Sequence, residues 1–184
     1  MSIGKPELRR ELLLRRRSMD KSTKKEYDDS IHTKLTELIR ATEPRAILSY
    51  LSTELEVGTI EFLREMILLG KAVYAPRCEN GIMRFFRLYD LSALKKGAFG
   101  IPEPSGSEEF FGGRDSVCIT PALMFSRDGY RLGYGGGYYD RFLGDYDGLS
   151  VGICYDSFIG EIPREAFDRP VRLLITEKET IDLR

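Results

Sequence analysis

The chain has 184 residues, with 28 basic and 29 acidic side chains and a formal net charge of −1. That length predicts one compact domain over residues 1–184, large enough for a core and a cleft, and the charge offers no positive field for nucleic acid. No apolar run approaches a membrane span, and Met1-Ser2-Ile3-Gly4-Lys5 leads into a charged stretch rather than a secretory signal, so a cytoplasmic protein is expected.

Two helices are expected first. Leu8 and Leu12 lie one turn apart between Lys5 and Arg17, and Thr23-Lys24-Lys25-Glu26 reads as a capping box for a helix carrying Tyr27, Ile31, Leu35, Leu38 and Ile39, punctuated by Pro44. The pattern then alternates. Ala46 to Leu51 reads as a buried strand, and Thr59 caps a helix from Ile60 to Leu69 that Gly70 ends. Ala72 to Ala75 is a strand stopped at Pro76, Met83 to Leu88 an edge strand, and Leu91 to Lys96 a short helix. Phe99 to Gly113 reads as a loop, Val117 to Ile119 as a buried strand, Tyr138 to Leu143 as the first turns of a helix, and Leu149 to Tyr155 and Val171 to Thr176 as two more strands. Short apolar strands alternating with helices predict an α/β fold with a mainly parallel sheet covered on both faces.

Cys78, Cys118 and Cys154 are far apart, odd in number and without CxxC spacing, which argues against a zinc site or a disulfide scaffold; Cys118 and Cys154 read as inert core thiols. His32 is the single histidine and sits in a helical pattern as a surface residue, which leaves acid–base work to carboxylates, Lys, Tyr or the substrate.

The most informative stretch is Arg131-Leu132-Gly133-Tyr134-Gly135-Gly136-Gly137-Tyr138-Tyr139-Asp140-Arg141. Four glycines in five positions let a ligand approach the peptide N–H groups, and the place after a buried strand puts them at the carboxyl edge of the sheet. The stretch is neither a Walker A loop nor GxGxxG, so a phosphate cradle and a tight structural turn both remain readings of it. Asp140 next to it suits Mg²⁺ beside phosphates, or equally a helix N-terminus.

In its setting this stretch, with Pro121-Ala122-Leu123-Met124-Phe125 and Asp128-Gly129 before it and Phe142-Leu143 after it, resembles the signature of 5-formyltetrahydrofolate cyclo-ligases (5,10-methenyltetrahydrofolate synthetases). Lys5-Pro6-Glu7-Leu8-Arg9, Glu56-Val57-Gly58-Thr59, Gly100-Ile101-Pro102-Glu103-Pro104 and Ile175-Thr176-Glu177 are similar to further family segments in the same order. The resemblance implies a three-layer α/β/α fold like that of ribose-phosphate isomerases and CoA transferases. It also implies a ligase that uses ATP with Mg²⁺ to phosphorylate the formyl oxygen of 5-formyltetrahydrofolate, after which N10 closes the ring and ADP and phosphate are released. A monomer with only small-molecule partners is expected.

Carried over position by position, the resemblance assigns ATP to Lys5, Pro6, Glu7, Leu8 and Arg9, and to Arg131, Leu132, Gly133, Tyr134, Gly135, Gly136, Gly137, Tyr138 and Tyr139. It assigns the folate to Leu51, Glu56 and the Tyr134 to Tyr138 segment, catalysis to Arg131, Tyr138 and Asp140, and the metal to Asp140. Arg172 stands where the family often has an Asp, which serves as a second magnesium ligand in some members, Ser126 where an Asp follows Phe in many members, and Gly58 where the family segment has Asp. A sugar-phosphate isomerase on the same fold and a non-catalytic nucleotide- or folate-binding module are the competing readings.

Overall fold

The computed structural model describes residues 4–97 and 100–184. The expected loop start at Phe99 and the opening Met1-Ser2-Ile3 lie outside them. Among the described residues one seven-stranded sheet organises the chain. Its central strands are β1 (Ala46–Ser49), β2 (Val73–Glu79), β6 (Ser116–Thr120), β9 (Leu149–Ile153) and β10 (Leu173–Ile175). These run parallel in the spatial order β10-β9-β6-β1-β2. Antiparallel strands β3 (Ile82–Arg87) and β11 (Thr180–Asp182) close the two edges. The mainly parallel α/β sheet and the edge position of the Met83 run are as the sequence predicts.

Side chains alternate across this sheet. Ile47, Val117, Ile119, Val73, Val151 and Ile153 face α1 (Lys5–Arg17), α2 (Lys21–Thr42) and α3 (Ile60–Leu68), meeting Leu12, Ile31, Leu35, Phe62 and Leu63 in one core. Each such side chain withdrawn from water is worth up to about 1.5–3 kcal/mol. On the opposite face Leu48, Cys118 and Phe85 meet Tyr139, Phe142 and Leu143 of α4 (Tyr138–Gly144).

Several elements depart from expectation. Asp20, not Thr23, caps α2: its Oδ2 accepts from Thr23 N at 2.9 Å, and the bonds from Ser22 and Thr23 pull its pKa down to about 2. β2 runs through Pro76 to Glu79, because β1 pairs with it only at Val73 and Tyr74; beyond them that side carries no ladder for a proline to break. Leu91 to Lys96 is a 3₁₀ turn, Leu91–Ala93, started by Asp90 accepting from Ser92 N, followed by β4 (Leu94–Lys96), which pairs with β5 (Pro102–Pro104). Thr59 occupies the cap position of α3 but makes no capping bond. His32 is half-buried, 2.7 Å from Glu65 and edge-on to Phe62, so it stitches α2 to α3 rather than decorating the surface.

What positions the loop region is a small hairpin that the sequence pattern did not announce. After β6 the chain forms β7 (Met124–Phe125) and β8 (Arg131–Leu132), pairing Met124 with Leu132 and Phe125 with Arg131. Phe125 is fully buried and lies over β9 at Gly152, where an added Cβ would come within 2.5 Å of its ring. The glycine-rich segment then links β8 to α4.

Candidate functional site

Three pieces meet at the carboxyl edge of the parallel strands. The first is the glycine-rich loop. Gly135 (φ 105°) and Gly137 (φ 64°) occupy backbone regions that a side chain would strain. Residues 134–136 are exposed. Among the described residues the amides of residues 134–137 donate to no protein acceptor, so they are available to an anion. Gly136 leaves room for the Tyr138 ring, which an added Cβ would meet at 2.7 Å, and Arg141 lies over that ring at 5.0 Å.

The second piece is α1, which runs along the same edge. Arg9 Nε donates to Gly133 O at 2.8 Å, and its guanidinium would touch a Cβ on Gly135 at 3.4 Å. One turn earlier, Lys5 Nζ is bound to Glu165 at 2.6 Å and Asp168 Oδ2 at 2.9 Å. Burial pulls the Lys5 pKa down, but the two carboxylates outweigh it and leave it raised. Pro6 and Glu7 are exposed in the first turn of α1, and Leu8 packs on the core. Two turns on from Arg9, Arg16 is buried. It donates to Leu55 O at 2.8 Å, Ala122 O at 2.8 Å and Leu123 O at 3.0 Å, with its guanidinium over Phe158 at 4.5 Å.

The third piece is the segment after β1. Leu51 lies in the main core. Glu56 is 7% exposed, and its Oε2 accepts from Thr53 N at 2.8 Å and Thr53 Oγ1 at 2.9 Å. Val57 O accepts from Tyr50 OH at 2.8 Å, and Thr59 N donates to Ser52 Oγ at 3.0 Å. Tyr134 bridges this segment to the glycine loop: its ring is half exposed, while burial and the adjacent Glu56 carboxylate push its hydroxyl pKa up.

Arg131 and Asp140 lock the base of the loop. Arg131 is buried in β8, donating from Nη2 to Asp140 Oδ1 at 2.7 Å and from Nη1 to Arg169 O at 2.8 Å. Burial lowers its pKa and Asp140 opposes that shift. Asp140 also accepts from Arg169 N at 3.2 Å, again on Oδ1, which leaves Oδ2 to an incoming group. Leu132 is buried, so only its backbone can face a ligand. The Tyr139 hydroxyl is buried with no partner among the described residues, and burial drives its pKa well up. Burial also lifts the thiol of Cys154 to about 12 and that of Cys118 further, so neither is a ready nucleophile.

No group of three or more His, Cys, Asp or Glu able to hold a metal by itself exists among the described residues. Asp140 does fit the other mode, in which one carboxylate meets Mg²⁺ that is also held by phosphate oxygens. Two hollows lie away from this edge, one of about 720 Å³ beside Ser126, Asp128 and Arg164, the other of about 360 Å³ beside Arg45, Ser116 and Leu149. Neither is lined by the glycine loop, whose residues 134–136 are exposed.

The sequence reading brought Arg9, Glu56, the glycine loop, Arg131 and Asp140 to one edge. It missed Arg16, Thr53 and Asp28. Arg16 shares a helix face with Leu12 and Arg9 at spacings of four and seven, a signal hidden inside Arg15-Arg16-Arg17.

The family model described as "5-formyltetrahydrofolate cyclo-ligase family" matches residues 1–177. A 5-formyltetrahydrofolate cyclo-ligase of Mycolicibacterium smegmatis is 29% identical over 189 aligned positions, spanning 97% of this chain and 96% of that protein. One of Escherichia coli K12 is 28% identical, spanning 88% and 94%. The NMR structure of Aquifex aeolicus 5,10-methenyltetrahydrofolate synthetase superposes with a TM-score of 0.84 at 30% identity, covering 98% of this chain and 93% of that one. A Mycoplasma pneumoniae 5,10-methenyltetrahydrofolate synthetase shares the fold, with a TM-score of 0.78 at 22% identity over 95% of this chain and 99% of that one. No helix of the described residues is long and apolar enough to cross a membrane.

Proposed function

The chain belongs to the 5-formyltetrahydrofolate cyclo-ligase family, and on that premise we propose that it uses ATP and Mg²⁺ to convert 5-formyltetrahydrofolate to 5,10-methenyltetrahydrofolate, ADP and phosphate. The observation that carries the ATP-dependent reading is the set of undonated amides at residues 134–137 lying against Arg9. They suit a polyphosphate.

The formyl amide is a poor electrophile. In the proposed reaction its oxygen attacks the γ-phosphate, N10 of the same molecule then adds to the activated carbon, and phosphate departs. The nucleophile is internal, so the protein's task is to hold two substrates in line and to stabilise charge on the moving phosphoryl group. That fits a site with no activated thiol. Arg9 and the loop amides bind the nucleotide, with Lys5 at the same end of α1. Arg131 aims Asp140, whose Oδ2 would hold Mg²⁺; that ion would neutralise phosphate charge. Glu56 accepts N–H groups of the pterin, Leu51 walls its apolar side, and Tyr134 and Tyr138 offer stacking faces. A single domain over residues 1–184, acting as a cytoplasmic monomer, completes the proposal.

The test is direct. Incubated with 5-formyltetrahydrofolate, ATP and Mg²⁺, the protein is expected to produce the ultraviolet absorption of the methenyl product. Product formed at the same rate without ATP overturns the mechanism.

A further inference from the structure

Asp28 lies on α2, outside every motif that points to nucleotide or folate. Its Oδ1 accepts from Gly58 N at 2.9 Å and from Tyr155 OH at 2.7 Å, and its Oδ2 from Lys24 Nζ at 2.6 Å. Tyr155 is 1% exposed, and its hydroxyl also lies 3.5 Å from the carbonyl oxygen of Glu56. Gly58 does not need its glycine for backbone reasons, since its φ is not positive. It needs the space: an added Cβ would stand 2.8 Å from Asp28 Oδ2 and 3.2 Å from Cγ. The Asp28 carboxylate therefore sits where a side chain at position 58 would begin.

We propose that Asp28 is a positioning residue for Glu56: its carboxylate takes the place of a side chain at Gly58 and, through the Gly58 amide and Tyr155, sets where the Glu56 carboxylate meets the folate. The inference rests on Glu56 being the pterin acceptor. Glu56 is two residues from Gly58, its side chain is tied back to Thr53 and its carbonyl lies beside Tyr155, so a shift at Gly58 is passed to Glu56 with little slack. Among the described residues Asp28 bonds to Lys24, Gly58 and Tyr155 and not to Arg9 or the glycine loop, so its effect falls on one substrate and not the other.

The experiment measures KM for 5-formyltetrahydrofolate and for ATP, with kcat and the melting temperature, on the wild type, Asp28→Ala, Asp28→Asn, Asp28→Gly and the pair Asp28→Gly/Gly58→Asp. Asp28→Ala is expected to raise the folate KM roughly 10-fold, as losing a part-buried charge-assisted bond does, with the ATP KM unchanged. Asp28→Asn keeps an acceptor and should shift it less. In the pair, a carboxylate returns to the same spot from the other chain segment, and the folate KM should fall back toward the wild-type value from that of Asp28→Gly. A folate KM that stays put while the melting temperature drops makes Asp28 merely structural and overturns the proposal, as does an equal rise in both KM values. If Asp28→Ala fails to fold, the comparison of Asp28→Gly with the pair decides, and no recovery counts against it. A wild type without turnover brings down this proposal together with the function; an active wild type with an unmoved Asp28→Ala brings down this proposal alone.

Discussion

The segments after β1 and after β8 end at the same edge of the sheet and are built in opposite ways. In the first, backbone groups from Leu55 to Thr59 are held by side chains: Arg16 on Leu55, Tyr50 on Val57, Asp28 on Gly58 and Ser52 on Thr59. In the second, residues 134–137 offer amides that no group among the described residues accepts, while Arg9 holds the carbonyl of Gly133 and Arg141 that of Gly136. A satisfied backbone fixes one side chain, Glu56, within narrow limits, which suits a rigid ring with a set pattern of N–H groups. A bare backbone is completed by its ligand, which suits phosphates. Under the proposed function, recognition is preformed in one segment and supplied by the guest in the other.

That contrast can be broken from either side. The largest effect is expected from Arg16→Ala, which strands three carbonyls and empties the space over Phe158; urea unfolding should show a loss of about 3 kcal/mol or more. A loss within 0.5 kcal/mol, the roughly neutral range for surface sites, would mean that the first segment is not held from α1. Next comes Asp140→Asn, which keeps an acceptor for Arg131 and removes the charge proposed to meet Mg²⁺. Here kcat should fall about 100-fold, or about 2.7 kcal/mol, and unchanged turnover with unchanged magnesium dependence takes Asp140 out of the site. Gly135→Ala strains a backbone at φ 105° and crowds Arg9, so the ATP KM should rise about 10-fold. The loop is exposed, so the melting temperature should move little; a folate KM that rises instead would reverse the division between the two segments. Arg9→Ala should raise the ATP KM several-fold and leave the folate KM alone, and steady-state kinetics on both substrates decide it.

The smallest effect concerns pH. The Lys5 pKa is raised above its ordinary 10.5, so its ion pairs contribute fully below about 10.5 and fade as pH climbs through the raised value. The stability gap between the wild type and Lys5→Met should therefore be no more than about 1 kcal/mol at pH 8, and should close at more alkaline pH. A gap that widens there contradicts the sign of the linkage.

Much of this was legible in the sequence, because much of it is local. Apolar runs marked β1, β6, β9 and β10, and the glycine cluster marked an exposed loop between β8 and α4, since no buried core asks for four glycines in five positions. What escaped depends on partners far along the chain. Arg16 reads as one of three basic residues until Leu55, 39 positions on, is known to lie against it, and Asp28 reads as helix surface until Gly58 arrives 30 positions later. The strand through Pro76 escaped for a related reason: a proline forbids a strand only where a neighbour needs its N–H, and β1 stops short of it. The helix expected at Leu91 to Lys96 failed because Leu94–Lys96 found an antiparallel partner in Pro102–Pro104, a pairing that propensity over six residues cannot foresee.

The seat of Phe125 on Gly152 reaches further than its position suggests. The two are 27 residues apart, yet one ring occupies the volume the other would need for a methyl group. An alanine at Gly152, buried within a strand and away from the residues proposed to meet ligands, would lift the hairpin whose far arm carries Arg131 and leads into the glycine loop. Damage to the proposed nucleotide site can thus begin in the floor of the sheet, at a position with no chemistry of its own.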